Sequence, residues 1–196
     1  MLPQSHMIMA GIIYENIRRK FNLNLNKMNL TYGSVIPDIP FQLSGLPHFK
    51  PESFDIICNK IHQLSQADFT KDKNSLKILS RDIGIVTHYI ADYFCVPHND
   101  RQRFKDDFIS HIQYENNLHK LYITRDPHVF IKKPSFNAQN NSANDIMSIL
   151  NRLHFTYLSR EPSLMNDFKS SIHATNLVAF YIIFHAMKKS LYYSVA

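Results

Sequence analysis

The chain has 196 residues, 44% of them hydrophobic, 19% charged and 12% aromatic, with only 4 glycines. That size carries one sizeable core and is too small for two comfortable domains, and the composition is not that of a disordered chain. A formal charge of +6 and a pI of about 9.3 favour phosphate-bearing partners, but the basic residues are scattered, so charge leaves lipid, nucleotide and nucleic acid all open.

Ser5 reads as the N-cap of a first helix, HMIMAGIIYENIRRKF, with Ile8, Ile12 and Ile13 apolar and His6 in its first turn. Asn22 to Asn29 is polar and irregular, with Leu23, Leu25 and Met28 packing down. From Thr31 to Ser53, four prolines and two glycines predict loop. Asp38 follows Pro37 and His48 follows Pro47, so both side chains ride on restricted backbone that can hold a ligand atom in place. PESFDIICNKIHQLSQA predicts a helix started by Pro51 and Glu52, with Phe54, Ile57, Ile61 and Leu64 as its stripe and His62 in solvent.

Asn74 or Ser75 opens LKILSRDIGIVTHYIADYF, whose stripe is Leu79, Ile83, Val86 and Ile90. Arg101 to Tyr122 is the next predicted helix, with Phe104, Phe108, Ile112 and Leu118 apolar. TRDPHVFIKKPSFNAQNNSAND is a connector long enough to cover a site or recognise substrate, with Phe130, Lys132 and Phe136 as candidates. Ser142 or Asn144 caps DIMSILNRLHFTYLSR. The last helix, from about Ser163 to Tyr193, is apolar on several faces and is expected at the centre of the core. His154, His173 and His185 are expected as packing or surface residues. Residues 1–196 thus read as one all-α domain of about six helices, with the Asp38–His48 loop folded over one end of the bundle.

One stretch carries chemistry. His88 and Asp92 stand four residues apart, as do His111 and Glu115, so each pair leaves one helix face. Between them Pro97 breaks the helix in VPHND and lets His98 turn back towards the space between. Three imidazoles and two carboxylates form the N and O donor set that zinc accepts. Either pair alone is an ordinary helical contact; five such residues around a proline break favour a metal site. His119 continues the His111–Glu115 face and reads as exposed or as support behind the ligands. Cys58 and Cys95 make no disulfide framework; Cys95 is close enough in sequence to join the site, but a core role is expected.

HYIADYFCVPH followed by HIQYE resembles the zinc-dependent phospholipase C family, whose members carry His-x-x-x-Asp, Pro-x-His or Pro-His, and His-x-x-x-Glu in this order. Upstream counterparts are His6 in QSHMIMAG, Gly33 to Asp38 in GSVIPD, and His48 in LPHF. The resemblance implies an all-helical fold and eight metal positions. Asp38, His48, His88 and Asp92 would surround one zinc, His98, His111 and Glu115 a second, and His6 with Asp92 a third. Two zinc ions are expected. The third is open, because secreted members complete it with the amine and carbonyl of an N-terminal Trp, and this chain has no Trp and carries its amine on Met1.

The same resemblance makes Asp38 the candidate catalytic base of a phosphodiester hydrolase, with a phospholipid head group among its candidate substrates. Tyr32, Phe41 and Phe49 are candidates for cation–π contact with such a head group, or else core. Single-strand-specific zinc nucleases share a related order, so nucleic acid is not excluded, although they typically carry Asp where Glu115 stands and a longer gap before the second His. A non-catalytic, metal-stabilised binding module is the third reading. MIMAGII lacks a basic residue before it and LVAFYIIF is too short to span a bilayer, so no transmembrane segment and a cytoplasmic location are expected. The sequence sets no oligomeric state.

Overall fold

The most apolar segment of the chain forms its longest helix, Leu164–Tyr193. The computed structural model describes residues 1–39, 45–69, 72–99, 107–126, 136 and 141–193, with side chains of the last helix described through residue 188. Among them are seven helices: α1 Pro3–Phe21, α2 Lys27–Val35, α3 Lys50–Ser65, α4 Lys73–Tyr93, α5 Phe108–Thr124, α6 Ala143–Leu158 and α7 Leu164–Tyr193. Short 3-10 turns at Ile36–Asp38 and Val96–His98 follow α2 and α4, and no strand occurs among the described residues. The fold is all-α. No helix of the described residues is long and apolar enough to cross a membrane.

The apolar faces of α7 place it at the centre, packed against α1, α3, α4, α5 and α6. Ile172, Val178, Ile182 and Ile183 are fully buried on it, each contributing roughly 1.5–3 kcal/mol by leaving water. Small Ser171, Ala174 and Thr175 let neighbouring helices come close, and both hydroxyls donate to carbonyls one turn back in α7, at 2.7 and 2.8 Å. Tyr122 of α5 hydrogen-bonds Ser171 at 2.6 Å. Asn16 of α1 donates from Nδ2 to Asn176 Oδ1 at 2.9 Å, joining the two ends of the chain.

The stripes read from sequence on α3 and α4 are buried, with Ile57, Ile61, Leu79, Ile83, Val86 and Ile90 at 2% exposure or less. Several boundaries differ. The first helix begins at Pro3, not after Ser5; Leu2 is its N-cap, and Ser5 is buried against His119, with Oγ 2.9 Å from Nδ1. Asp72, rather than Asn74 or Ser75, caps α4 by accepting from the Ser75 N–H at 2.7 Å. Phe108 is 74% exposed and does not join the core; Phe104 lies outside the described residues. His62 is half-buried, with Nδ1 shielded from water. Ser142 caps α6 in a reciprocal box with Asp145. Phe136 packs against Tyr181, Phe184 and His185 of α7, whereas Phe41, Phe130 and Lys132 lie outside the described residues.

The largest correction is α2, a helix where irregular chain and loop were expected. Asn26 caps it, its side chain accepting from the Asn29 N–H at 2.9 Å. Gly33 belongs to it because a Cβ there would overlap the Arg81 carbonyl oxygen of α4, and a Cβ on Gly84 would overlap the Leu30 carbonyl oxygen of α2. The two glycines let the helices touch backbone to backbone. Gly33 therefore serves close packing, not a turn.

Candidate metal centre

On α4 the Leu79–Ile90 stripe faces the core, so His88 and Asp92 emerge on the neighbouring face, both buried. The close contact of α2 with α4 brings the Ser34 carbonyl to His88, whose Nδ1–H donates to it at 2.9 Å. That bond leaves the Nε2 lone pair for the site. Nε2 lies 3.2 Å from His48 Nδ1, 3.3 Å from Asp92 Oδ2 and 3.6 Å from Asp38 Oδ1. His48 Nδ1 is 2.7 Å from Asp92 Oδ2 and 3.9 Å from Asp38 Oδ1. Asp38 and His48 thus meet in one place beside His88 and Asp92.

Pro97 ends α4 as expected, and the turn that follows is tied down from outside. Asn99 donates from Nδ2 to the Tyr93 and Cys95 carbonyls, each at 2.9 Å, and His154 Nε2–H donates to the Tyr93 carbonyl at 3.0 Å. His98 is thereby turned towards α5. Its Nε2 lies 3.3 Å from Glu115 Oε1, and His111 Nε2 lies 2.9 Å from the same oxygen. His6, from the first helix, stacks on His88 with ring centroids 3.9 Å apart and sets Nε2 3.3 Å from Asp92 Oδ1.

All eight predicted positions are brought together. Three groups have ligand-type atoms within 4.8 Å of one another and could each hold a metal ion: Asp38 with His48 and His88, His6 with His88 and Asp92, and His98 with His111 and Glu115. Asp92 joins them, because Oδ2 faces His48 and His88 while Oδ1 faces His6 and, at 3.8 Å, His98.

A family model described as zinc dependent phospholipase C matches residues 5–164, a span that includes all eight positions. The chain belongs to the zinc-dependent phospholipase C family. No curated protein and no solved structure matches it. The family match ends at the first residue of α7, the helix that backs the centre.

The donors in this family member are of the types that zinc takes. Burial, aided by the neighbouring His88, pushes His6 down to about 3, so its ring is neutral and its contact with Asp92 is not an ion pair. His6 Nε2 and Asp38 Oδ2 are buried without a hydrogen-bond partner, the condition of an atom that awaits a ligand. Burial would raise Asp92, but His98, the Met1 ammonium, His88 and His6 outweigh it and hold the carboxyl well below its usual range. Burial opposes ionisation of Glu115 too; His98 and the ammonium overcome it and bring the group to about 2. Asp38 moves the other way, raised by burial and by the Asp92 charge. Burial lowers His48, and the bond and charge of Asp92 more than reverse this.

Two backbone participants complete the picture, the Met1 amine, whose reach the sequence left open, and the Ser34 carbonyl, which it did not point to. The Met1 nitrogen lies 2.9 Å from His98 Nε2 as well as beside Asp92 and Glu115, and the Ser34 carbonyl fixes the His88 tautomer. Both are backbone groups, which leave no residue-type signature in a sequence. Cys95 is buried with its thiol pushed well up by burial and is in none of the three groups, in keeping with a core role. A groove of about 660 Å³ opens beside His98, walled by Phe49, Pro51, Phe54, His154 and Leu158.

Proposed function

We propose that this chain is a zinc-dependent phosphodiester hydrolase of the phospholipase C type, with residues 1–196 acting as one domain. The observation that carries the reading is Asp92, a fully buried carboxylate whose two oxygens face two different groups of donors. Asp38, His48, His88 and Asp92 would hold one ion, and His98, His111 and Glu115 a second. The Met1 nitrogen, 2.7 Å from Asp92 Oδ1, supports a third at His6 and Asp92. Zinc in such a centre neutralises a phosphodiester and brings bound water to a pKa of about 7.

The protein's own residues then have distinct tasks. Asp38 takes the proton of the attacking water on Oδ2, the oxygen without a hydrogen-bond partner. The Ser34 carbonyl keeps the His88 Nε2 lone pair aimed into the centre. The groove beside His98 receives the apolar part of the ester along Phe49, Pro51, Phe54 and Leu158. Lys50 Nζ, 4.2 Å above the Phe54 ring, gives that groove a cation beside the acidic Glu52 and Asp55 that also line it.

The test is metal analysis of protein purified without chelator, together with parallel assays on a chromogenic phosphocholine ester and a single-stranded oligonucleotide. Two or three zinc per chain with turnover of the choline ester is the expected result. Turnover of the oligonucleotide alone would move the activity to the nuclease type. A chain that loads zinc and turns over neither substrate would be a metal-stabilised binding module, and a chain without zinc would end the proposal.

A further inference from the structure

Asp167 lies in the first turn of α7, three residues past the end of the family match, and is fully buried. Its carboxylate touches none of the eight donors. Oδ2 accepts the Val96 N–H at 2.8 Å and the Tyr114 hydroxyl at 3.0 Å, while Oδ1 accepts the Tyr157 hydroxyl at 2.8 Å. Val96 opens the turn that carries His98, and Tyr114 immediately precedes Glu115 on α5. One oxygen therefore binds the two segments that must bring His98 and Glu115 face to face.

We infer that Asp167 is a positioning residue for the His98–His111–Glu115 group, setting the spacing of the Val96–His98 turn against α5 from the side opposite the metal. This rests on the metal reading above and adds to it a residue outside the donor set. The turn has little regular structure of its own, and the Val96 N–H is a buried donor that needs an acceptor. On α5, Tyr114 points away from the direction of its neighbour Glu115, so anchoring the phenol fixes the roll of the helix and with it the carboxylate. Tyr122 and Ser171 tie the same two helices further along. A carboxylate is suited to the junction because it accepts from the Val96 N–H, the Tyr114 and Tyr157 hydroxyls and the Cys95 thiol, which come from three separate segments.

The experiment is a stepwise zinc titration of the full chain against a chromophoric chelator, with Glu115→Gln marking the step that belongs to the His98 group. Asp167→Ala is expected to weaken that step by about 10–100-fold, the usual effect of losing support behind metal ligands, and to leave the Asp38–His48–His88 step unchanged. Asp167→Asn, which keeps an acceptor for Val96 and Tyr114, is expected to restore most of the affinity. Tyr157→Phe should lower the melting temperature without altering either step. If Asp167→Ala does not fold, Tyr114→Phe must produce the same selective weakening at smaller size. Equal weakening of both steps, or a lowered melting temperature of metal-free protein with both steps intact, would overturn the role of Asp167. A parent chain that binds no zinc would instead overturn the metal reading itself.

Discussion

The Met1 nitrogen lies 2.7 Å from Asp92 Oδ1, across 91 positions of sequence, and 3.2 Å from Glu115 Oε1. Burial opposes its charge, but the two carboxylates prevail and raise the ammonium to about 12. Proton and metal compete for this nitrogen. Acetylating the amine should therefore remove one zinc, at His6 and Asp92, and leave two. Mass spectrometric metal counting on acetylated protein checks this, and an unchanged count would mean that the amine is only a counter-charge.

Asp92→Asn removes a charge and replaces one accepting oxygen with a donor. Because both oxygens face donor groups, at least one zinc should be lost whichever way the amide turns. Hydrolysis should fall to background. Full zinc content in this variant would reduce Asp92 to a hydrogen-bond partner of His48.

Asp38→Asn is the opposite case, since His48, His88 and Asp92 would still surround the ion. Zinc content should stay near that of the parent while kcat drops by about 10²–10⁴, the range lost with a general base. Comparable loss of metal and rate would make Asp38 a ligand before anything else.

Gly84→Ala tests the contact of α2 with α4. The added Cβ would overlap the Leu30 carbonyl oxygen and lie 2.7 Å from the Ser34 nitrogen, both backbone atoms. Alanine gains about 1 kcal/mol in helix propensity, but displacing a helix costs about 1–3 kcal/mol or more, so net destabilisation is expected. The Ser34 carbonyl would leave His88, and zinc affinity should fall about tenfold as well. Urea unfolding and zinc titration read the two effects separately.

Asp167 supplies a pH dependence opposite in sign to that of Asp92 and Glu115. Burial pushes its carboxyl up to about 6, against the hydrogen bonds from Val96, Tyr157, Tyr114 and Cys95. Between roughly pH 4 and 6 the folded chain keeps a proton that the unfolded chain sheds, so this stability is full at low pH and is lost as pH rises through 6. The depressed Glu115, at about 2, behaves in reverse and loses its contribution as pH falls. Asp167→Asn should consequently compare better with the parent at pH 7.5 than at pH 4, by about 2 kcal/mol in metal-free protein. A difference independent of pH would show that the group ionises normally.

Five of the eight candidate donors were legible because His88 and Asp92, like His111 and Glu115, stand four residues apart and Pro97 marks the break before His98, whereas His6, Asp38 and His48 came from the resemblance to the family. The core stripes of α3 and α4 were legible for the same reason of period. What sequence reading lost was long-range. Gly33 looked like a loop residue until the Arg81 carbonyl filled the place of its missing side chain. Ser5 looked like a cap, but Pro3 starts the helix and His119, from 114 positions away, claims the hydroxyl. The Ser34 carbonyl is a group every residue possesses, so only the fold selects it, and the reach of the Met1 amine to Asp92 is likewise set by the fold.

The Asn16–Asn176 bond spans 160 positions and docks the helix that carries His6 onto α7. During synthesis at roughly 5–20 residues per second, α1 must wait on the order of 8–32 s for that partner to be made. Until then α1 is held by its packing on α2, α4 and α5 alone, without the bond that ties it to α7. A nascent chain stalled before α7 should therefore hold its first candidate donor, His6, less firmly than the full chain.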